Sequence, residues 1–386
     1  MDKGFVNLYL VLQAGYVYVK QIEKTCWKGC IKLIGGYLKL IKIVLISSII
    51  FLQLTSCKDS GTEPNQKQFK DQREMTWTVD TLPVPEGAIQ VLPKDLLVVS
   101  LTDVWLATWV GHGQIMRYDS KTWKMVKEIG GGINSLVQGN SNDIWAGGYS
   151  NTIYLGHYDG VSWTRADDMG ITGEILDMSK DPSGNIWAVG RNGVVLKYSQ
   201  GKWIADTIKV NHYSDASYSL YSITSFGNKM YTLAAILDSK RKRDVYYFIN
   251  GEINNWTVID SMVLDFRSSI VKWGTHRSYS SSFGKLYSFG SLGLWEYEGN
   301  NWIKILPSTA TIYDIYGVSN DYMLAVGDFL QVFFNNGSGW QSITSLLNQN
   351  DSLFIFTNVW TDGYEIIIAG FGTYNGIQKT IIWHGK

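Results

Sequence analysis

Residues 142–163 read NDIWAGGYSNTIYLGHYDGVSW. The stretch opens on an apolar strand start, Ile144-Trp145, followed by three small residues, Ala146, Gly147 and Gly148. A second strand ends at Tyr158, Asp159-Gly160 makes a tight turn, and Trp163 closes the phrase. The phrase recurs at steps of about 40 residues, the period of a repeat architecture in which each copy is one supersecondary unit. Strand starts fall at Trp105, Trp145, Trp187, Tyr231, Tyr287, Leu324 and Ile368, and closing tryptophans at Trp123, Trp163, Trp203, Trp256, Trp302 and Trp340.

Seven starts and six closings leave the last repeat one strand short. The missing strand stands at the other end of the repeat region. Met75-Thr-Trp77-Thr-Val-Asp80 resembles Asn255-Trp256-Thr-Val-Ile-Asp260 and precedes the first repeat. Pairing it with the last repeat closes a ring and removes the open sheet edges. The expected fold is therefore all-β: a seven-bladed β-propeller of four-stranded blades over residues 75–386, completed by the strand around Trp77. In the third repeat the strands are expected at Ile175 to Met178, then 185–190, 194–198 and 203–208. Small residues suit places where blades approach closely, and the large aromatics fill the gaps between blades. Asp159-Gly160 and Asn250-Gly251 are expected as hairpin turns.

Composition agrees. The 386 residues include 16 Trp and 23 Tyr but only 6 Pro, which suits an all-β repeat protein. The formal charge is zero, yet the seven Lys of residues 1–56 leave a net of −5 on the remainder. A mildly acidic body argues against nucleic-acid binding. The three cysteines, Cys26, Cys30 and Cys57, all precede the repeats, so the ring holds no disulfide and no thiolate metal site.

The N-terminal region reads as an address. Lys39 and Lys42 flank the start of an apolar run within residues 40–54, LIKIVLISSIIFLQL, the pattern of a secretory signal and short for a membrane span. Leu54-Thr-Ser-Cys57 resembles the lipobox of bacterial lipoproteins, which implies lipidation of Cys57 and removal of residues 1–56. Cys26 and Cys30 are incidental on that reading. Residues 57–74 are polar, with Phe69 as their bulky apolar residue, and are expected to form a disordered tether. Persistence of residues 31–54 as an uncleaved helix would make the protein a membrane-anchored sensor instead.

Tyr158-Asp-Gly-Val-Ser-Trp163 is similar to the Asp-box of sialidase-like and photosystem-assembly-type propellers, shortened by one residue, and Ile186-Trp-Ala-Val-Gly190 looks like kelch and galactose-oxidase-like propellers. The resemblance covers residues 75–386 as architecture. In those families the motif is structural, so it implies no active site.

No catalytic residues, cofactor or metal site emerge. Turn aspartates Asp143, Asp159 and Asp321 are expected as local caps, and the five histidines His112, His157, His212, His276 and His384 lack metal-ligand spacing. Ligands are expected on the face built from second-to-third-strand loops and blade connectors, by analogy of fold. Four connectors stand out: residues 206–217, 236–244, 260–267 and 371–378. The second carries Lys240, Arg241, Lys242 and Arg243, a basic cluster suited to an anionic partner. His212, Tyr213 and Asp215 make a second candidate contact group. The sequence favours a monomeric, non-catalytic binding or scaffold propeller of the cell envelope, lipid-anchored at an outer-membrane surface and recognising a protein or glycan. The alternative is a carbohydrate-active propeller enzyme acting as a hydrolase, lyase or oxidase.

Overall fold

A computed structural model describes residues 69–140, 142–166, 169–265, 271–347 and 354–386. Lipidation of Cys57, the signal region and most of the tether lie outside the described residues.

Twenty-eight strands form seven four-stranded antiparallel sheets arranged as blades of one ring. Blade one holds β2 (Leu92–Ser100), β3 (Asp103–Trp109), β4 (Gly113–Tyr118) and β5 (Trp123–Ile129). Blades two and three follow as β6 (Gly132–Gln138) to β9 (Trp163–Arg165) and β10 (Ile175–Lys180) to β13 (Lys202–Thr207). Blade four runs from β14 (Ser217–Phe226) through β15 (Lys229–Asp238) and β16 (Arg243–Glu252) to β17 (Asn255–Asp265). Blades five and six are β18 (Arg277–Ser280) to β21 (Asn301–Pro307) and β22 (Ile312–Ser319) to β25 (Trp340–Ser342). Blade seven has the order β1-β28-β27-β26, where β26 is Ile355–Thr361, β27 Ile366–Tyr374, β28 Ile377–Gly385 and β1 Trp77–Thr81.

The closure expected around Trp77 is the one observed. β1 pairs with β28 in a register that sets Trp77 opposite Gly385 and Thr81 opposite Ile381. Asp80 of β1 accepts a hydrogen bond from Trp123 Nε1 of blade one (3.3 Å) and lies 3.2 Å from His384 Nε2 of β28. The first strand thereby joins the last blade to the first one.

Aromatic rings cement the blades to one another. Trp105 of blade one packs on Tyr158 and Trp163 of blade two, with centroids 5.0 and 5.9 Å apart. Trp145 of blade two meets Tyr198 and Trp203 of blade three at 4.5 and 5.3 Å. Trp187 of blade three meets Trp256 of blade four. Small residues allow this approach: a Cβ on Gly147 would meet Ile175 Cγ2 and Met178 Sδ of the next blade. Truncating Trp145, which is 2% exposed, should cost about 3–5 kcal/mol, read as a lowered urea midpoint. Unchanged stability would refute its place as inter-blade packing.

Three sequence expectations need correction. Asn250 and Gly251 are not a turn but pair inside β16 with Thr257 and Trp256. The hairpin turns at the following residues, where Asn254 supplies the positive φ of 64°. The connectors expected at 236–244, 260–267 and 371–378 are largely strand, because alternating apolar residues such as Val245, Tyr247 and Ile249 carry the ladders onward. Finally, residues 69–74, assigned by composition to the tether, are folded onto the ring. Gln72–Glu74 form a 3-10 turn capped by Asp71. Phe69 packs 5.1 Å from the Tyr322 ring, and the Lys70 N–H donates to the Gly363 carbonyl (2.9 Å). One half-buried aromatic outweighs the polar composition around it.

Candidate functional site

Every innermost strand runs from one face of the ring to the other, and the face where these strands begin also holds the second-to-third-strand hairpins. There the inner strands depart from regular pairing. In six of them one residue is bulged out of register: Lys94, Asn134, Leu176, Tyr221, Tyr313 and Thr357. In blade five the matching place is taken by His276, just before β18. A bulge leaves its residue unpaired and re-aims its side chain. All seven side chains line one cavity of about 350 Å³ at the mouth of the central channel.

In five blades the residue after the bulge does a different job. Asp95 Oδ2 accepts from the Leu136 N–H of blade two (2.7 Å), and Ser135 Oγ from the Met178 N–H of blade three (3.1 Å). Asp177 Oδ2 accepts from the Ile223 N–H of blade four (2.8 Å), Ser222 Oγ from the Ser278 N–H of blade five (2.9 Å), and Asp314 Oδ2 from the Val359 N–H of blade seven (2.9 Å). Each latch satisfies a backbone donor of the neighbouring blade, as a buried donor requires. The latches fix the inner diameter of the ring.

Blade five breaks the series. Its latch position holds Arg277, a donor where the other blades hold acceptors. The guanidinium instead reaches across the channel, 3.6 Å from Asp95 Oδ1 of blade one and 3.6 Å from Asp177 Oδ1 of blade three. These side chains are only 19%, 13% and 10% exposed. Burial alone would lower the Arg277 pKa, but Asp177, Asp95 and Asp314 outweigh it and hold the guanidinium charged. Burial raises the Asp177 carboxyl, opposed by Arg277. It pushes Asp314 up to about 7, against the pull of the Val359 N–H and Arg277. Next door, burial and then the charge of Arg277 bring His276 down to about 4, so its imidazole is neutral at physiological pH. The His276 ring stands edge-on to Tyr313, with centroids 5.2 Å apart. The mouth thus has a charged floor, aromatic and apolar walls, and Lys94 exposed at its rim.

Blades four and seven rise above this mouth. β14 begins four residues before Tyr221, about 13 Å at the usual strand rise. The candidate residues from the two connectors of blade four meet at its top. Asp215 accepts from Lys240 Nζ (3.1 Å) and Arg241 (2.9 Å), and Arg241 also pairs with Asp238 (2.9 Å). The Arg241 guanidinium lies 3.5 Å over the exposed Tyr213 ring. His212 sits beside Tyr218, its Nδ1 2.9 Å from the Val210 carbonyl. Lys242, at φ 51°, occupies the tip, and Arg243 opens β16. The basic cluster is therefore partly neutralised by its own neighbours, and it stands beside the mouth rather than in it.

The turn aspartate Asp159 caps its own loop, accepting from the Val161 and Ser162 N–H groups at 2.8 Å each. His157 bonds Asp143 and stacks on Trp145 at 4.2 Å. Among the described residues no group of three or more His, Cys, Asp or Glu side chains could hold a metal ion. The mouth ring and Arg277 were not singled out from sequence. A signal existed: Asp95, Ser135, Asp177, Arg277 and Asp314 each stand ten positions before the strand-start residues Trp105, Trp145, Trp187, Tyr287 and Leu324.

No protein-family model matches the chain, and no curated protein matches it in sequence. Similarity to solved structures is found at the level of shape. One is YCF48 bound to D1 peptide, at 14% identity and TM-score 0.55, covering 80% of this chain and 96% of that one. The WD40 beta propeller domain of Doa1 gives 13% identity and TM-score 0.53 over 79% and 96%. A catalytically inactive virginiamycin B lyase from Staphylococcus aureus with quinupristin gives 12% and 0.54 over 80% and 99%. At such identities the likeness is one of fold, and it agrees with the ring described above: the chain is a seven-bladed β-propeller.

Proposed function

We propose that the protein is a non-catalytic binding propeller of the bacterial cell envelope, anchored by lipid at Cys57, that takes a protein or glycan partner at the channel mouth. The observation that carries this reading is the ring of bulged residues. Seven structurally matched positions converge on one cavity, and they hold Lys, Asn, Leu, Tyr, His, Tyr and Thr. The repeated parts of the blades share residue types because they share a packing role. The mouth positions, Tyr221 and Tyr313 apart, share none, which suits recognition by a surface held on a rigid frame.

Phe69, the first described residue, packs against Gly363 in the β26–β27 turn, on the face opposite the mouth, so the described chain enters the ring away from the proposed binding face.

The test is capture from solubilised envelopes with full-length bait. Leu176→Arg and Tyr313→Ala should each reduce partner recovery at least about tenfold, whereas changing Lys242 and Arg243 together to Gln should leave it unchanged. Recovery insensitive to both mouth substitutions would overturn the reading. Intact mass of the membrane-extracted protein checks the anchor: a start at Cys57 with added acyl mass is the expected result.

A further inference from the structure

The chemistry of the mouth narrows the ligand, on the understanding that the mouth is the binding face. Its cations are not equivalent. Arg277 is matched by Asp95 and Asp177. Arg191, on the adjoining hairpin, is tied to Glu174 at 2.6 Å, and Glu174 also accepts from Asn134 Nδ2 at 2.8 Å. On the neighbouring tower Lys240 and Arg241 are held by Asp215 and Asp238. Lys94 is different. It is exposed and lines the cavity at a bulge, through the kind of register shift that places five of the other mouth residues, and it forms no ion pair among the described residues. Lys94 is thus the mouth cation left without an ion-pair partner among the described residues.

Around that charge the walls are mostly apolar and aromatic. Leu176, Ile355 and Phe371 share the cavity with Tyr221 and Tyr313. A polyhydroxylated ligand would require dense hydrogen-bonding partners at such walls, because its hydroxyls lose water on entry. An apolar side chain gains from the same walls. The cavity of about 350 Å³ holds one or two side chains.

We propose that the mouth binds a peptide carboxylate on Lys94, with an adjacent bulky apolar side chain of the same peptide seated against Leu176, Ile355 and Phe371. The carboxylate belongs either to an acidic side chain or to a chain terminus, which share this chemistry. Lys94 gives the carboxylate a charge-assisted partner, and the wall supplies the contact area that distinguishes this ligand from a free anion. Opposite charge on the ligand also accelerates encounter and makes binding salt-dependent.

The experiment uses the full-length protein and an array of synthetic octapeptides. Each carries Asp or Glu beside Leu, Ile or Phe, internally or at the end, with a free or amidated C-terminus. Matched peptides carry Asn or Gln, and oligouronates and anionic vesicles complete the set. Wild-type protein should retain the carboxylate peptides at least about tenfold better than their amide counterparts, and 0.5 M salt should reduce retention. Lys94→Gln should abolish this preference while leaving the melting curve unchanged. Internal and terminal arms tell which source of carboxylate is used. Equal retention of acid and amide peptides, stronger retention of oligouronates or vesicles, or a preference that survives Lys94→Gln would each overturn the proposal. If envelope capture still depends on Leu176 and Tyr313 in that event, the mouth remains the binding face and the carboxylate assignment alone falls.

Discussion

Replacing Arg277 with Met should destabilise the ring by about 3–5 kcal/mol at pH 8.5, since it leaves buried carboxylates facing one another without a counter-charge. Three of them converge there. Asp95 and Asp177 lie 3.6 Å from the guanidinium, and Asp314 adds to its field. The loss should depend on pH in a stated direction. Asp314 has its folded pKa raised to about 7, above the unfolded value of about 3.9. Its favourable contribution is therefore complete below about pH 4 and is lost as pH rises through about 7. The raised Asp177 acts in the same sense. Removing Arg277 takes away a charge that lowers both groups, so both move further up. At pH 5 Asp314 of the folded variant holds its proton, so the loss should be smaller there than at pH 8.5. Urea midpoints at the two pH values check this, and adding Asp177→Asn should restore part of the loss at pH 8.5. An equal loss at both pH values would show that Arg277 acts through packing and not through charge.

A chain shortened to begin at Leu82 should fail as a monomer. It lacks β1, and Ile381–Gly385 of β28, the residues that β1 pairs with, then form an open edge, a template for pairing with other chains. It also loses Met75, which is buried against Tyr322, Phe334 and Trp383 in the core shared by blades six and seven. Size-exclusion chromatography should show soluble oligomers or aggregate. A synthetic peptide of residues 69–81 added in excess should restore the monomer by adding the missing strand. A shortened chain that stays monomeric and melts at the full-length temperature would show that closure by β1 contributes little.

The ring was legible in the sequence because its frame uses the same residue types in the same places. Trp105, Trp145 and Trp187 mark second strands, and Trp163, Trp203 and Trp256 mark fourth strands. The unpaired copy at Trp77 identified the closure. The tall blades were not legible. Polar residues near 240 and 375 suggested long loops, while β15, β16, β27 and β28 run up to short turns at 239–242 and 375–376. The site was least legible, for a physical reason. A bulge is a property of register, and Lys94, Leu176 and Tyr313 share no chemistry that would announce it. Arg277 lay within reach, since it stands alone as a cation in a column of Asp, Ser and Asn. That column appears only when the repeats are aligned on their second strands.

The closure also dictates an order of events in time. Blade seven draws one strand from the start of the ring and three from its end. Blades one to six can each zip up from local hairpins as they emerge from the ribosome or a translocation pore. The strand at Trp77 to Thr81 has no such neighbour. Its partner, β28, is the last of the described strands in chain order. The ring therefore cannot close until β28 has been made, after the strands of every other blade. Until then β1 remains an unpaired strand, the part of the molecule that most needs protection from other chains.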